Sequence, residues 1–362
     1  MQTLLGRTTE ELEQMAREMG QPAYRGRQLA QWIYRRGADS FDAMTNLPQP
    51  FRAALNERLT LGRSSVAHRD VAPDGTIKYL LQLGDCEQVE SVWLPYEDRV
   101  SVCVSSQVGC AAGCTFCATA LGGLARDMTA GEIVDEILTL QAEHPERRIS
   151  HCVFMGMGEP LLNYDEVIRA VRLLTAEVGL SPRHVTISTV GVVPGILRLA
   201  EEQLPVTLAL SLHAPDDALR ETLIPTARKW KLAEILDACR TYYRKTKRNL
   251  TFEYLMIADV NDAPDQAATL ARLLEGLPGN VNLIPFNYVE TPQGFRRPSP
   301  DRVRAFRAEL EAAGRVTTQR MERGHAISAA CGQLRRTAGT LRPRGVREAG
   351  RTLAELTPAG AR

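Results

Sequence analysis

The chain has 362 residues, 44% of them apolar and 24% charged, and a formal net charge of +1 at pH 7. This composition is typical of a globular chain of about two domains, and the small net charge predicts no overall attraction to nucleic acid or membranes. The sequence has no apolar run of roughly 18 residues and no signal-peptide core. We therefore expect a cytoplasmic protein whose eight cysteines are reduced, which favours metal binding or catalysis over a disulfide framework.

The first part of the chain predicts a small helical domain followed by strands. Thr8 and Glu11 form a capping box, a second helix is expected from Arg25 to Arg36, and a third follows Pro50 and carries Leu59. No strand pattern interrupts these helices. The sequence then alternates in the manner of strands around a turn at "PDGT". We assign a helical accessory domain (1–60), a β extension (61–95), a core (96–335) and a basic tail (336–362).

Strands and helices alternate in the core, which predicts a parallel sheet. Six units are too few for a closed eight-stranded barrel, so the expected fold is α/β, a partial (β/α)6 barrel with a helical accessory domain and a short β extension. In such barrels, functional sites lie at the C-terminal ends of the strands. The strand candidates are "VSVCVSS", "ISHCVFMG", "HVTIST", "VTLALSL", "LTFEYLMI" and "VNLIPF".

Three cysteines follow the first of these strands. Cys110, Cys114 and Cys117 have the spacing C-x3-C-x2-C, with Phe116 before the last cysteine. Three thiolates on one loop can hold three corners of a [4Fe–4S] cluster and leave the fourth iron open. S-adenosylmethionine (SAM) can chelate that iron, and the spacing resembles the signature of the radical SAM superfamily. The alternatives are a structural zinc site, which prefers four ligands, and three unrelated core cysteines.

Polar or glycine-containing segments end four later strands, where an α/β sheet binds ligands. Each segment alone is typical of a capped loop, but together they favour a cofactor pocket. Glu159 is placed to accept a hydrogen bond from the SAM ammonium group. The candidate cofactor-binding residues are Gly158, Glu159, Ser188, Ser211, Leu212, His213 and Asn287.

The remaining cysteines divide into two sets. Cys86, Cys152 and Cys239 lie in segments typical of inert core residues. Cys103 lies on the strand before the cysteine loop, and Cys331 lies in the small, flexible sequence "AACGQ". From these sequences alone, functional and structural roles for Cys331 are equally open.

Five segments in order, "SSQVGCAAGCTFCAT", "GMGEPLLN", "ALSLHAP", "NLIPFN" and "AACGQLR", resemble the RlmN/Cfr family of radical SAM RNA adenine methyltransferases. The resemblance runs from about residue 4 to about residue 336. "GEPLLN" and "VSSQVGC" are more similar to the members that methylate C2 of adenine than to those that methylate C8. Methylation at C8 stays an alternative, as does a non-catalytic iron–sulfur or zinc protein that binds RNA.

The resemblance implies a reaction that uses two SAM molecules. The first methylates Cys331, and the second supplies a radical that removes hydrogen from this methyl group, so that the carbon adds to adenine. Cys103 then resolves the protein–RNA adduct through a transient disulfide with Cys331. Either Glu90 or Cys103 accepts the proton lost from C2, and the sequence does not separate them.

The resemblance also implies partners. They are 23S rRNA and tRNA substrates and an external, flavodoxin-like electron donor, and we expect a monomer without membrane association. Two basic stretches, 24–36 and 240–248, are candidate phosphate contacts, although a solvated helix face is the simpler interpretation of each. The segment before Cys331 departs from the family pattern at Ala326 and Ser328, where acidic residues are common.

Overall fold

The computed structural model describes residues 2–289, 291–320, 323–324, 327–330 and 332–334. Three expectations from the sequence lie outside the described residues. They are the role of Cys331, the departure at Ala326 and the basic tail from residue 336 to residue 362.

The N-terminal region is mainly helical. Its elements are strand β1 (Gln2–Thr3), helix α1 (Thr9–Glu18), helix α2 (Tyr24–Ala30) with a π-helical extension (Gln31–Arg35), helix α3 (Gln49–Arg58) and strand β2 (Leu59–Thr60). Helix α1 begins in the expected capping box, in which the Thr8 hydroxyl accepts a hydrogen bond from the Glu11 N–H and the Glu11 carboxylate accepts one from the Thr8 N–H. The buried side chains of this helix, including Leu12 and Met15, face the other helices.

Two short strands correct the expectation of an uninterrupted helical domain. β1 and β2 pair in parallel, with Gln2 opposite Leu59. Leu59, expected on the third helix, has an extended backbone with φ −132° and ψ 163°. The N–H of Leu4 donates to the carbonyl of Thr60 at 2.9 Å, so pairing with the N-terminal segment overrides the helical periodicity here.

An antiparallel extension connects the helical region to the barrel. It consists of β3 (Ser65–Val71), β4 (Ile77–Gln82) and β5 (Gln88–Pro95). The expected turn joins β3 to β4, and there the Asp74 carboxylate accepts a hydrogen bond from the Thr76 N–H at 2.9 Å. Cys86, expected in the core, is exposed in the turn between β4 and β5 with φ +68°, because a tight turn leaves its side chain no inner face.

The barrel alternates strands with helices, as the sequence predicts. Its elements are β6 (Val100–Cys103), β7 (Gln107–Gly109), α4 (Ala118–Leu121), β8 (Leu124–Asp127), α5 (Ala130–Glu143), β9 (His151–Phe154), α6 (Tyr164–Leu173), β10 (Val185–Thr189), α7 (Val193–Glu201), β11 (Thr207–Ser211), α8 (Asp217–Leu223), α9 (Leu232–Thr246), β12 (Leu250–Met256), α10 (Pro264–Leu273), β13 (Gly279–Pro285), α11 (Pro300–Ala312) and β14 (Thr317–Gln319).

One ten-stranded sheet holds the barrel and the extension together. Its order is β14-β13-β12-β11-β10-β9-β6-β5-β4-β3, and the strands from β14 to β6 run parallel. All six strand candidates occur in it. The sequence missed β14, because three residues of sequence "TTQ" show no apolar pattern.

The two faces of the barrel sheet differ in polarity. Outward residues such as Leu210, Phe252 and Leu283 are fully buried beneath the helices. Strand register places Ser211 opposite Glu253, and Glu253 opposite Asn282. Because alternate residues share one face, these polar side chains point into the barrel together.

The helical region packs closely on the barrel. An ideal Cβ at Gly131, at the start of α5, would lie only 2.5 Å from the carbonyl oxygen of Leu5. The Thr9 N–H and hydroxyl donate to the Glu177 carboxylate at 3.0 and 2.8 Å. No helix of the described residues is long and apolar enough to cross a membrane.

Candidate active site

The cysteine loop begins directly after β7 and is shaped by two glycines. Gly109 and Gly113 have φ values of +85° and +71°, a conformation that L side chains rarely adopt. At Gly109 a Cβ would also lie 2.0 Å from the carbonyl oxygen of Gly123. The Cys110 N–H donates to this same carbonyl at 2.9 Å. Glycine at position 109 therefore allows the loop to fold back against Gly123, directly before β8.

The three thiols form one buried group. Cys110 and Cys114 are almost fully buried, and Cys117 is partly exposed. Burial raises the pKa of Cys110 to about 12 and that of Cys114 well above its usual value, and the neighbouring Cys117 adds to both shifts. Such thiols ionise only beside strong positive charge, which iron supplies. This set of soft donors on one loop suits a [4Fe–4S] cluster.

One cleft, here called the cofactor cleft, opens at the C-terminal ends of β9, β10, β11 and β13. It holds about 790 Å³ of empty space, part of it open to solvent. Cys117 lines it, so the cysteine loop forms one wall. Of the candidate cofactor-binding residues, Gly158, Glu159, Ser188, Ser211, His213 and Asn287 line this cleft.

Leu212 has a different position. Its side chain is fully buried, and its N–H donates to the carbonyl of Glu253 at 3.0 Å. Its side chain therefore packs in the core, while its backbone fixes the end of β11.

Glu159 is held by backbone N–H groups. Its carboxylate accepts hydrogen bonds from the N–H of Val190 at 2.8 Å and from that of Leu161 at 3.0 Å. Burial outweighs these bonds and raises its pKa to about 7. A cationic ligand group in the cleft would favour the charged carboxylate, which fits the expected contact with the SAM ammonium group.

Asn287 and His213 complete the polar wall. The side-chain oxygen of Asn287 is buried and has no hydrogen-bond partner among the described residues, so it can accept a hydrogen bond from a ligand. Burial lowers the pKa of His213 to about 3, so this ring is neutral. Its Nδ1 accepts the Leu255 N–H at 3.0 Å, and its edge meets Phe116 with ring centroids 5.1 Å apart.

A second cleft, here called the cysteine cleft, adjoins the first. Cys103, Ala329 and Ala330 line it, so Cys103 opens onto the segment next to Cys331. Met155, Ile284, Asn287 and Arg320 line both clefts.

Hydrogen bonds fix the segment on the other side of Cys331. The Ala118 N–H donates to the carbonyl of Gly332 at 2.8 Å, and the Thr119 hydroxyl donates to that of Leu334 at 2.6 Å. The residues that flank Cys331 thus lie against the helix that follows Cys117.

Glu90 lies in the sheet next to Cys103. It is 1% exposed, and a carboxylate oxygen lies 3.2 Å from Lys78 Nζ. Val92 pairs with Cys103, and Glu90 is two residues from Val92, so all three share one face of the sheet. The sequence alone favours a surface strand residue at this position, and the burial of Glu90 corrects that interpretation.

The sequence did not single out three charged residues near the clefts. Glu253 lines the cofactor cleft and accepts a hydrogen bond from Asn282 at 2.7 Å. Arg320 lines both clefts, and Arg220 is fully buried in α8. A charged residue inside an apolar strand, as in "LTFEYLMI", is the signal that would have identified Glu253.

The basic stretches are largely engaged within the protein. Arg27 pairs with Glu13, and Lys245 pairs with Glu201. The Arg35 guanidinium donates to the carbonyl of Val178 at 2.9 Å. These contacts give part of the positive charge in the two stretches a partner within the protein, so that part needs no contact with RNA.

Comparison with known proteins identifies the family. The radical SAM superfamily model matches residues 104–271, and the ribosomal RNA large subunit methyltransferase N-terminal domain model matches residues 2–61. The probable dual-specificity RNA methyltransferase RlmN of Symbiobacterium thermophilum is 52% identical over 93% of this chain and 92% of its own. That of Thermosynechococcus vestitus is 49% identical over 92% of this chain and 98% of its own.

A solved structure agrees with these relatives. A radical SAM methyltransferase from Sphaerobacter thermophilus is 46% identical and superposes with a TM-score of 0.89, covering 92% of this chain and 99% of its own. The expected fold class is confirmed, and superfamily membership implies a [4Fe–4S] cluster and SAM as cofactors. The resemblance seen in the sequence is confirmed as well: the chain belongs to the RlmN family of radical SAM RNA methyltransferases.

Proposed function

We propose that this protein methylates C2 of adenine in RNA, at adenine 2503 of 23S rRNA and adenine 37 of some tRNAs. One observation carries the proposal: Cys103 and the residues that flank Cys331 line a cleft that shares four residues with the cofactor cleft. Cys331 directly follows Ala330 in sequence, and we propose that it carries a methyl group from SAM to an adenine. The names of the relatives also support RNA as the substrate.

The proposed ligands of the cluster are Cys110, Cys114 and Cys117. When bound, the cluster would supply the electron that cleaves SAM into methionine and a 5′-deoxyadenosyl radical. Glu159 and Asn287 orient SAM through its polar groups. Cys110 and Cys114 are almost fully buried, which limits the access of water to their side of the site.

Cysteine chemistry overcomes the low nucleophilicity of C2. This carbon is an electrophilic amidine carbon and cannot attack a methyl group directly. In the proposed route Cys331 carries the methyl group and loses one hydrogen atom from it to the 5′-deoxyadenosyl radical, which becomes 5′-deoxyadenosine. The remaining carbon radical joins C2, and the adduct gives up the C2 proton and one electron, which would return to the oxidised cluster. The Cys103 thiolate then attacks the sulfur of Cys331, which forms a disulfide and breaks the bond between sulfur and the transferred carbon. The electron pair of that bond stays on the carbon, which takes up a proton to complete the methyl group, and an external thiol reductant must reduce the disulfide before the next turnover.

Glu90 is the proposed acceptor of the C2 proton, with Cys103 as the competing candidate. A carboxylate oxygen of Glu90 lies 3.2 Å from Lys78 Nζ, and a carboxylate is a group that can accept a proton. Glu90 and Cys103 share one face of the sheet, so either group approaches the reacting carbon from the same side.

The wider setting follows from this activity. We propose a cytoplasmic monomer that takes electrons from a flavodoxin-like donor. The helical region, residues 1–60, is the proposed accessory RNA-binding domain, residues 61–95 a β extension, residues 96–335 the radical SAM core, and residues 336–362 a basic tail. Ser328, one of the two departures from the family pattern, has φ +51° in the segment before Cys331.

Mass spectrometry of RNA nucleosides tests the proposed function. Total RNA is compared from cells with the protein, without it, and with the Cys331→Ala variant. We expect 2-methyladenosine, identified by co-elution with a standard, only with the wild-type protein. 8-Methyladenosine in its place would overturn C2 specificity, and unmodified RNA would overturn the methyltransferase activity.

A further inference from the structure

Arg220 holds together the strand ends that form the cofactor cleft. Its Nε donates to the carbonyl of Leu212 at 3.0 Å, and its Nη2 donates to those of Ser211 at 3.1 Å and Val190 at 2.5 Å. These carbonyls lie at the ends of β10 and β11, the strands that carry Ser188 and Ser211. One side chain therefore fixes two neighbouring walls of the cleft.

The third nitrogen of this guanidinium, Nη1, is different. It is buried, since the whole side chain is 0% exposed, and it has no hydrogen-bond partner among the described residues. A buried charged donor without a partner is costly, and a ligand that accepts a hydrogen bond from Nη1 would remove this cost. The side chain does not line the cofactor cleft, whereas residues that follow it in sequence pack with Cys110 and Cys114, so the cysteine loop is the neighbouring ligand site.

Helix α8, which carries Arg220, contacts the cysteine loop. The Thr115 N–H donates to the carbonyl of Leu223 at 3.0 Å. Leu223 and Ile224 pack in one apolar cluster with Cys110 and Cys114. Burial lowers the pKa of Arg220 to about 10, and the nearby Cys114 and Glu159 oppose this shift.

We propose that Arg220 is a positioning residue whose free Nη1 donates a hydrogen bond to a sulfur at the Cys114 corner of the cluster, and whose charge raises the reduction potential of the cluster. Hydrogen bonds to sulfur and nearby positive charge both stabilise the reduced state. Burial keeps salt and water from screening this charge. The inference rests on the proposed assignment of the cluster to Cys110, Cys114 and Cys117.

Redox titration of the reconstituted protein, monitored by electron paramagnetic resonance without SAM, tests the role of the charge. We expect Arg220→Gln to shift the midpoint potential to a more negative value and Arg220→Lys, which keeps the charge, to shift it less. Arg315→Gln is the matched control. Arg315 also donates to a backbone carbonyl and has a buried nitrogen with no hydrogen-bond partner in the part of the chain that the structure describes, but it lies before β14 at the opposite end of the barrel.

Two results would overturn the proposal. One is an Arg220→Gln protein with full iron content and the wild-type potential, and the other is an equal shift in Arg315→Gln. A second measurement needs no variant: pulsed paramagnetic resonance of reduced wild-type protein labelled with 15N-arginine. We expect a nitrogen coupling to the cluster, and its absence overturns the hydrogen bond even if every Arg220 variant misfolds.

Failure of the ligand assignment gives a different result. Cys114→Ala protein that keeps its full cluster would overturn the assignment and this inference together. If Cys114→Ala loses the cluster while the potential of Arg220→Gln stays unshifted, only the role of Arg220 is overturned.

Discussion

The two cysteine-bearing segments of this protein are held in opposite ways. The turn of the cysteine loop is held by contacts within the loop. The chain turns at Gly109 and Gly113, and the Cys110 N–H donates a hydrogen bond to the carbonyl of Gly123. The segment around Cys331 depends on other elements. Helix α4 binds the carbonyls of Gly332 and Leu334.

Two further contacts to the Cys331 segment come from distant parts of the chain. The Asp74 carboxylate accepts the Gly324 N–H at 3.0 Å, and Gln333 donates to the carbonyl of Tyr288 at 2.9 Å. The comparison teaches that the turn of the cysteine loop is encoded locally, whereas the position of the Cys331 segment is set by residues far from it in sequence. Changes to the two segments should therefore fail in different ways.

The largest effect is expected within the cysteine loop. Cys114→Ala should abolish the cluster and, with it, all SAM cleavage, because two thiolates cannot hold three corners of the cubane. Iron analysis and release of 5′-deoxyadenosine after anaerobic reconstitution measure both. The conservative Cys239→Ala, in the core of α9, serves as the control for loss of a buried thiol. Retention of four irons per chain in the Cys114 variant would contradict the assignment.

A change across the cysteine cleft should stop the reaction later. Cys103→Ala should keep the cluster, the methyl group on Cys331 and radical formation, but it should accumulate RNA covalently attached to the protein. Cys331→Ala lacks the attachment point and should carry none. Gel shift with nuclease treatment detects the adduct.

A structural role for Cys103 predicts another outcome. The Ala variant would then lose roughly 1 kcal/mol of unfolding free energy from a small cavity. Protein that is free of RNA and methylates normally would rule out the resolving role.

The pH dependence of SAM binding tests the cofactor cleft, of which the cysteine loop forms one wall. Glu159 must be a carboxylate to bind an ammonium group, and burial raises its pKa to about 7. SAM affinity should therefore rise as pH increases to about 7 and level off above it, and fall by roughly tenfold per pH unit below. Equilibrium dialysis between pH 5.5 and 8.5 measures this profile. Glu159→Gln should bind weakly with a flat profile, and a persistent slope in that variant would assign the dependence to another group.

The smallest effect is expected at Asp74, on the other side of the comparison. Asp74→Ala removes the acceptor for the Gly324 N–H and should cost about 1 kcal/mol in docking of the segment. We expect a several-fold lower fraction of methylated Cys331, measured by peptide mass spectrometry, with normal SAM cleavage. Asp74→Asn keeps an acceptor oxygen and should lie between the Ala variant and the wild type. Equal loss of SAM cleavage in Asp74→Ala would show that Asp74 supports the whole barrel instead.

The sequence predicts features that depend on short spacings. Cys110, Cys114 and Cys117 lie within one loop, and the polar strand ends are fixed by the alternation of strands and helices. Arg220 could not be found this way, because its role depends on carbonyls from two other strand ends that only the fold brings to it. Leu59 and Cys86 were misassigned for a related reason: strand pairing and a tight turn override the local apolar pattern.

The glycine contact between the helical region and the barrel has a consequence for substrate choice. At Gly131 no space remains for even a methyl group against the backbone of Leu5. The helical region and the barrel therefore cannot slide or tilt past each other without breaking this backbone contact, which fixes the distance between them. Under the proposed function, an RNA that contacts both parts must fit this fixed distance. A ribosomal or transfer RNA substrate must then change its own conformation to bind, because the protein does not adjust.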